Sequence, residues 1–392
     1  MKTTLARRRF LLGTGLGLLT SASWPRWLAA MEGMNKIAPL TATPGFKPDV
    51  ELDLTCQPSL QSILPGAKTR VYRYHARLRK GPENTLLHLS GSYLGPILRF
   101  ATGQKIRIHL HNRLDEPSIT HWHGLHVPAH MDGHPRFAID RGETFVYEFE
   151  MRNRAGMAIY HPHPHDITGW QVYQGLAGAI LIHDAEERRL ALPDGDYEIP
   201  LVIQDRLFND DNQLVYTQHM HDRMMGMHGD RILVNGRPDF KLDVDSRAYR
   251  FRLLNAANAR IYKLAWSDGS PITVLGTDGG LLAAPVSKPY VMLAPGERLD
   301  VWADFSGRAV GEQLELRSRP FQGALPAMAQ RMMHGGMHAS SLPLGGDYPL
   351  LTVNVTRKVT DSPELPQTLA DAGYLDMPQI ANPDHPVPIG IG

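Results

Sequence analysis

The amino-acid sequence predicts an all-β protein in which two β-sandwich domains follow one another. Three observations favour this fold class: apolar and polar residues alternate in short runs, turns rich in Gly and Pro separate these runs, and no long stretch keeps a helical period. In "QKIRIHLHNRL", the apolar residues Ile106, Ile108 and Leu110 fall on one face. This alternation is typical of a strand that is buried on one side.

Two later runs repeat the pattern, "RAYRFRLLNA" around Phe251 and "GERLDVWADF" around Val301. We expect each to form a half-buried strand with a polar outer face. A turn-rich stretch, "LALPDGDYEIP", separates two strand-rich blocks of similar length, and the composition shifts to Pro, Asp and Ala after Lys358. The predicted segments are a signal peptide (1–30), two sandwich domains (31–195 and 196–358) and a Pro-rich linker or tail (359–392).

The N-terminus has the features of an export signal. Three arginines, Arg7 to Arg9, precede an apolar stretch that is too short for a transmembrane helix. The motif resembles the twin-arginine signal, although Ala6 stands where Ser or Thr is usual, so we expect delivery to the periplasm and no membrane span. Cleavage near Ala30 would remove five positive and no negative charges and change the formal net charge from +1 to −4. No block of like charges remains, which argues against a nucleic-acid partner.

Histidines are concentrated in two clusters, "HWHGLHVPAHMDGH" and "YHPHPH". His121 and His123 have the same i, i+2 spacing as His161 and His163, and residues two apart in extended chain point to the same side. Two such pairs on neighbouring segments would place four imidazoles around one cavity. Neutral imidazole suits copper, zinc, iron or nickel, so the ligand type alone does not select the metal.

The other histidines in these clusters are expected to be solvent-exposed or hydrogen-bonded rather than ligands: His126, His130, His134 and His165. The spacing alone would also allow His165 to point with His161 and His163, although Pro162 and Pro164 belong at a sheet margin or in a loop. The alternative for the two histidine pairs is that they are ordinary strand residues, but their matched spacing and flanking residues favour ligation.

Other candidate ligands are sulfur-containing side chains. Cys56 is the single cysteine, so no intrachain disulfide can form, and its surroundings predict a buried small apolar residue. Two methionine-rich segments could bind Cu(I), which prefers thioethers, or could be flexible loops without a ligand. Their methionines are Met220, Met224, Met225 and Met227 in the first segment, and Met328, Met332, Met333 and Met337 in the second.

Several phrases resemble the first two cupredoxin domains of multicopper oxidases, the group of laccases and periplasmic copper-efflux oxidases. They are "GSYLGPILRFATGQKIRIHLHNRL", "HWHGLHVP", "YHPHPHDITGWQVYQGLAGAILI", "GDRILVNG", "FRLLNAANAR" and "LAPGERLDVWADF", which follow in order from about Gly91 to Phe305. The resemblance implies two cupredoxin-like Greek-key β-sandwiches. The paired His-x-His motifs are specific for the chemistry, whereas the phrases of the second domain are taken as marks of the fold only.

The resemblance also implies roles for single residues. His121 matches a ligand of a type 2 copper, and His123, His161 and His163 match ligands of a type 3 copper pair. Asp132 matches the acid that helps deliver protons to reduced oxygen, although His134 and Arg136 replace the residues usual nearby. Trp122 is expected to pack around this site.

The activity implied is one-electron oxidation of phenols or metal ions coupled to reduction of O2 to water, with O2 and a small reducing substrate or Cu(I) as partners. In the family, a third domain supplies four more histidines and the blue-copper cysteine, and no "HCH" phrase occurs after Lys358. We therefore expect a partial copper site, completed by a third cupredoxin domain in trans if at all, and no turnover by the chain alone.

The alternative function is a periplasmic copper-binding, copper-tolerance or scaffold protein on the same fold that is not an oxidase. Retention of all four ligands favours oxidase ancestry. A zinc hydrolase is a more distant alternative, because no Asp or Glu stands at the spacing of a general base beside the pairs.

Overall fold

A computed structural model describes residues 37–217, 222, 225–323, 342–371, 384–385, 388 and 390. The predicted signal peptide lies outside the described residues. Within them, no helix is long and apolar enough to cross a membrane.

Two sheets form the first sandwich, between residues 50 and 183. The first has the strand order β2-β1-β5-β7 and the second β3-β4-β9-β8-β6. Their strands are β1 (Val50–Gln61), β2 (Thr69–Lys80), β3 (Leu86–Leu87), β4 (Ile97–Ala101), β5 (Lys105–Asn112), β6 (Thr120–His123), β7 (Thr144–Glu150), β8 (Gly156–Pro162) and β9 (Gly178–His183).

Two further sheets form the second sandwich, between residues 198 and 357. The first has the order β12-β11-β10-β14-β19-β16-β17 and the second β13-β21-β20-β15-β18. Their strands are β10 (Glu198–Arg206), β11 (Arg231–Val234), β12 (Arg237–Pro238), β13 (Lys241–Asp245), β14 (Ala248–Asn255), β15 (Tyr262–Trp266), β16 (Ile272–Thr277), β17 (Gly280–Lys288), β18 (Val291–Leu293), β19 (Arg298–Asp304), β20 (Gln313–Ser318) and β21 (Tyr348–Arg357).

Helical structure is sparse between the strands. The α-helix α1 (Thr168–Gln174) follows β8 and ends at Gly175, whose φ of 125° favours glycine. Single 3-10 turns lie at Glu83–Thr85, Ala129–Met131, Pro135–Phe137, Glu187–Leu190 and Gly195–Tyr197. The prediction of an all-β protein built from Greek-key sandwiches is confirmed. The predicted segment boundaries stay a prediction.

Each sandwich has its own apolar core, and a third cluster joins the two. In β5, Ile106, Ile108 and Leu110 are fully buried, as the alternation predicts. The joining cluster contains residues from both sandwiches, among them Met157, Ile159, Leu181, Val202, Leu233 and Leu254. Burial of apolar area of this kind fixes the second sandwich against β8 and β9 of the first.

The prediction of half-buried strands is wrong for β14 and β19. Every residue of β14 is buried, and β19 is buried from Arg298 to Ala303. The polar face is covered because a group of mutually paired polar side chains lies there, which we call the ion network: His183, Glu187, Glu198, Arg250, Arg252 and Asp300. Arg252 donates to Glu187 (2.9 Å), Glu198 (2.8 Å) and Asp300 (2.8 Å). Buried charges are tolerated when they are paired in this way.

Candidate metal centre

The pairing of β6 with β8 brings the two histidine motifs together. His121 lies directly opposite His161 in this antiparallel pair. His123 lies two residues further along β6, so it shares that face of the sheet. His163 follows the end of β8, where its backbone N–H donates to the carbonyl of Ile119 at 2.7 Å. The sheet margin thus presents all four side chains, which we call the four-histidine face: His121, His123, His161 and His163.

The four imidazoles converge on one region. Ring centroids of His121 lie 5.3 Å from those of His161 and His163 and 5.8 Å from that of His123. The centroid of His161 lies 5.7 Å from that of His123 and 6.2 Å from that of His163. Ligand nitrogens of His121, His123 and His161 can all lie within 4.8 Å of one another. This spacing suits imidazoles that share one or more metal ions.

Backbone carbonyls orient two of the rings. Nδ1 of His121 lies 2.7 Å from the carbonyl oxygen of Asp132, and Nδ1 of His161 lies 2.9 Å from that of Pro162. A carbonyl oxygen only accepts, so each Nδ1 carries the hydrogen and each Nε2 is left with a free electron pair. Nδ1 of His163 is buried without a hydrogen-bond partner among the described residues. These free nitrogens are the donor atoms that a metal such as copper requires.

Burial favours the neutral form of three of the imidazoles. It lowers the pKa of His161 to about 3, with repulsion from His121 and His123 adding to the effect. Burial also lowers the pKa of His123, helped by the positive charge of Arg298, and the pKa of His163, helped by His121. Metal binding needs the unprotonated ring, so at neutral pH these side chains are ready to act as ligands.

Asp132 lies beside the four-histidine face. Its Oδ1 is 3.0 Å from Nδ1 of His121, and its side chain is 41% exposed. Burial raises the pKa of this carboxyl, while attraction to His121 opposes the rise. A carboxyl with a raised pKa that is still open to solvent binds a proton more readily than an ordinary one and can exchange it with water.

The histidines predicted not to be ligands differ from the four-histidine face in exposure. The side chains of His126, His130, His134 and His165 are exposed. His165 lies after the end of β8, in a turn that continues through Asp166, which has a φ of 62°. Trp122 is fully buried, with its ring centroid 5.0 Å from that of Tyr147 at a right-angled packing geometry. It packs in the core of the first sandwich, and its predicted packing around the site stays a prediction.

The sulfur-containing side chains are described only in part. Cys56 is fully buried, and burial raises the pKa of its thiol to about 12, which confirms the prediction of a buried small residue. Met227 is buried. Most of the methionine-rich segments lie outside the described residues, including Met220, Met224, Met328, Met332, Met333 and Met337.

A contribution from the second sandwich was not anticipated. A cavity of about 250 Å³ opens beside His123 and His161, and one of its walls is formed by Asn255–Asn258 together with Pro295 and Gly296. These residues belong to "FRLLNAANAR" and "LAPGERLDVWADF", which the sequence analysis took as marks of the fold only. The glycine and proline of the second phrase were the available signal, since such residues mark close backbone approach.

A second group of possible ligands lies within the ion network. Donor atoms of His183, Glu187 and Glu198 can also lie within 4.8 Å of one another. Here, however, Arg250 and Arg252 already occupy the carboxylates, with Arg250 Nη1 2.6 Å from Glu187 Oε1. Two adjacent guanidinium charges oppose a further cation, so this group serves to pair buried charges.

Comparison with known proteins agrees with this geometry. A family model described as multicopper oxidase matches residues 70–187. The multicopper oxidase mco of Staphylococcus aureus is 36% identical over 227 residues, which are 58% of this chain and 50% of that protein. The cell division protein FtsP of Sodalis glossinidius is 34% identical over 306 residues, which are 77% of this chain and 60% of that protein.

A solved structure is similar over most of the chain. The McoA multicopper oxidase from Aquifex aeolicus superposes with a TM-score of 0.69 at 32% identity, over 86% of this chain and 67% of that chain. The present chain spans about half the length of the Staphylococcus aureus relative. Its two sandwiches and its extended similarity to McoA show that the chain belongs to the multicopper oxidase family.

Proposed function

We propose that the chain binds copper through the four-histidine face and acts in a copper-dependent oxidation of the multicopper oxidase type. The observation that carries the proposal is the convergence of the imidazoles of the four-histidine face, with five ring pairs 5.3 to 6.2 Å apart. Within the family, His121 is proposed as a ligand of a type 2 copper, and the other three as ligands of a type 3 pair.

Copper bound here would supply one-electron redox chemistry, coupling oxidation of a phenol or a metal ion such as Cu(I) to reduction of O2 to water. The chain's own residues hold and orient the ligand rings through the carbonyls of Asp132 and Pro162. The carboxyl of Asp132, 3.0 Å from the ring of His121, is proposed to hold and release protons used in that reduction.

The substrates and partners are proposals for the whole protein, because the chain matches only part of its relatives. We propose O2 and a small reducing substrate or Cu(I), with a third cupredoxin domain in trans as the partner that would complete the copper ligands. The paired arginines at the N-terminus support a further proposal, that the chain reaches the periplasm by the twin-arginine route.

A second candidate function is a copper-binding or scaffold role without oxidation. It is favoured by the match to the cell division protein FtsP, which is 34% identical over 77% of the chain. Copper binding without O2 consumption even when a third cupredoxin domain of a related oxidase is added, together with a cell-division defect on gene deletion, would support this alternative.

The test of the copper proposal is an alanine series. His121→Ala, His123→Ala, His161→Ala and His163→Ala should each lower copper affinity, measured by chelator competition and metal analysis. His126→Ala is the matched control, because this exposed histidine lies three residues after His123 and should leave affinity unchanged. Retention of copper by His161→Ala at the level of the parent would refute the proposal.

A further inference from the structure

Arg298 connects the second sandwich to the strand that carries His161. It is the first residue of β19, and its side chain is 4% exposed. Its Nε donates to the carbonyl of Met157, in β8, at 3.0 Å. A buried guanidinium that donates to a carbonyl of another domain holds the two domains in a fixed relation, because separation would leave a charged donor unpaired.

The same guanidinium fixes the loop that contacts His123. Nη1 donates to the carbonyl of Gly296 at 2.9 Å, and the backbone N–H of Gly296 donates to Asn255 at 2.8 Å. Gly296 lies against the imidazole, since a Cβ placed there would be 3.1 Å from Cε1 of His123. The orientation of the His123 ring therefore depends on a loop that Arg298 holds.

The guanidinium of Arg298 also lies beside the backbone that directly follows His123 in the first sandwich. The next residue, Gly124, has a φ of 95°, and a Cβ there would be 2.6 Å from Nη2 of Arg298. The counter-ion is Asp278, whose Oδ1 lies 3.0 Å from Nη1, but that side chain is 47% exposed. Solvent screens an exposed carboxylate, so it offsets the buried positive charge only in part.

We propose that Arg298 is a positioning residue that sets the balance between Cu(I) and Cu(II) at the copper bound through His123. This inference rests on the proposed function. A fixed positive charge opposes a doubly charged ion more than a singly charged one, so Arg298 favours uptake of one electron, supplied by the reducing substrate or by an electrode, that converts Cu(II) to Cu(I). It also keeps the ring of His123 in place through Gly296.

Three variants separate the effect of the charge of Arg298 from the effect of its hydrogen bonds. Arg298→Met removes the charge with little change in side-chain length, Arg298→Lys keeps the charge but loses the forked donor, and Asp278→Asn removes the opposing charge. Cu(I) and Cu(II) affinities are measured separately by chelator competition in the full chain, and circular dichroism checks that each variant folds.

Arg298→Met is expected to lower the ratio of Cu(I) to Cu(II) affinity on the order of tenfold, equivalent to 59 mV for a one-electron couple. Asp278→Asn should shift the ratio in the opposite direction, and Arg298→Lys should leave it near that of the parent. A purely structural role would reduce both affinities alike in Arg298→Met and move Asp278→Asn in the same direction.

Either of those structural results overturns the inference while leaving the copper proposal standing. A parent chain that binds no copper refutes the proposed function, and with it this inference. If Arg298→Met does not fold, the other two variants still test the inference. Asp278→Asn must raise the ratio of Cu(I) to Cu(II) affinity, and Arg298→Lys must leave it near that of the parent.

Discussion

Lowering the pH from 7 to 5 should weaken copper binding much less than exposed histidine ligands would allow. The unprotonated fraction of an imidazole with the ordinary pKa of about 6.5 falls about 25-fold over this interval. The probability that four such imidazoles are all unprotonated falls about 4 × 10⁵-fold. Burial lowers the pKa of His161 to about 3, so the unprotonated fraction of this ring changes by only about 1%. The lowered pKa values of His123 and His163 reduce the loss further.

The affinity of the chain for Cu(II) is therefore expected to fall by less than about 2 × 10⁴-fold between pH 7 and pH 5. The assay is chelator competition at both pH values, with the chelator calibrated at each. A synthetic peptide of residues 159–166 calibrates the assay, since each of its three histidines is exposed to water and should lose the full 25-fold, or about 2 × 10⁴-fold together. A loss of 10⁵-fold or more in the folded chain would refute the argument that burial keeps these rings unprotonated.

Three other predictions follow from the structure and the sequence. Arg252→Met in the ion network should destabilise the fold by about 3–5 kcal/mol in urea denaturation, because it leaves buried carboxylates without a partner. The control Arg141→Met, in an exposed pair with Asp115, should cost about 0–1 kcal/mol. Equal effects of the two variants would contradict this. Replacing Arg7 and Arg8 by lysine should retain the protein in the cytoplasm, and unchanged periplasmic yield would refute the export prediction. Since the one cysteine is buried, the copper-loaded chain purified alone should lack the intense thiolate-to-copper band and consume no O2 with a phenol; stoichiometric O2 uptake would contradict this.

The fold class could be predicted because the period of the apolar residues reflects the strand geometry directly. The alternation in β5 matched its burial residue by residue. The same argument failed for β14, where Arg250 and Arg252 are buried. Polar residues in an alternating strand face solvent only if no other part of the chain packs over them. Here carboxylates as far as 65 positions away, such as Glu187, pair with the arginines and shield them from water.

The candidate site was predictable to the extent that it is local. The i, i+2 spacing indicated which histidines share a face, and β6 and β8 pair so that His121 and His161 face one another. The spacing could not indicate that Gly296 contacts His123 or that Arg298 reaches Met157, because these contacts depend on how two domains pack. His165, expected to be exposed, lies in a turn after the end of β8, where strand periodicity no longer decides the direction of a side chain.

The most direct test of the copper proposal is anomalous diffraction at the copper edge from crystals grown with copper. We expect anomalous density enclosed by the four-histidine face, within bonding distance of Nε2 of His121 and Nε2 of His161. We also expect loss of that density in His161→Ala crystals and retention in His126→Ala crystals. Copper density found only at exposed histidines or methionines, with none among the four rings, would contradict the account.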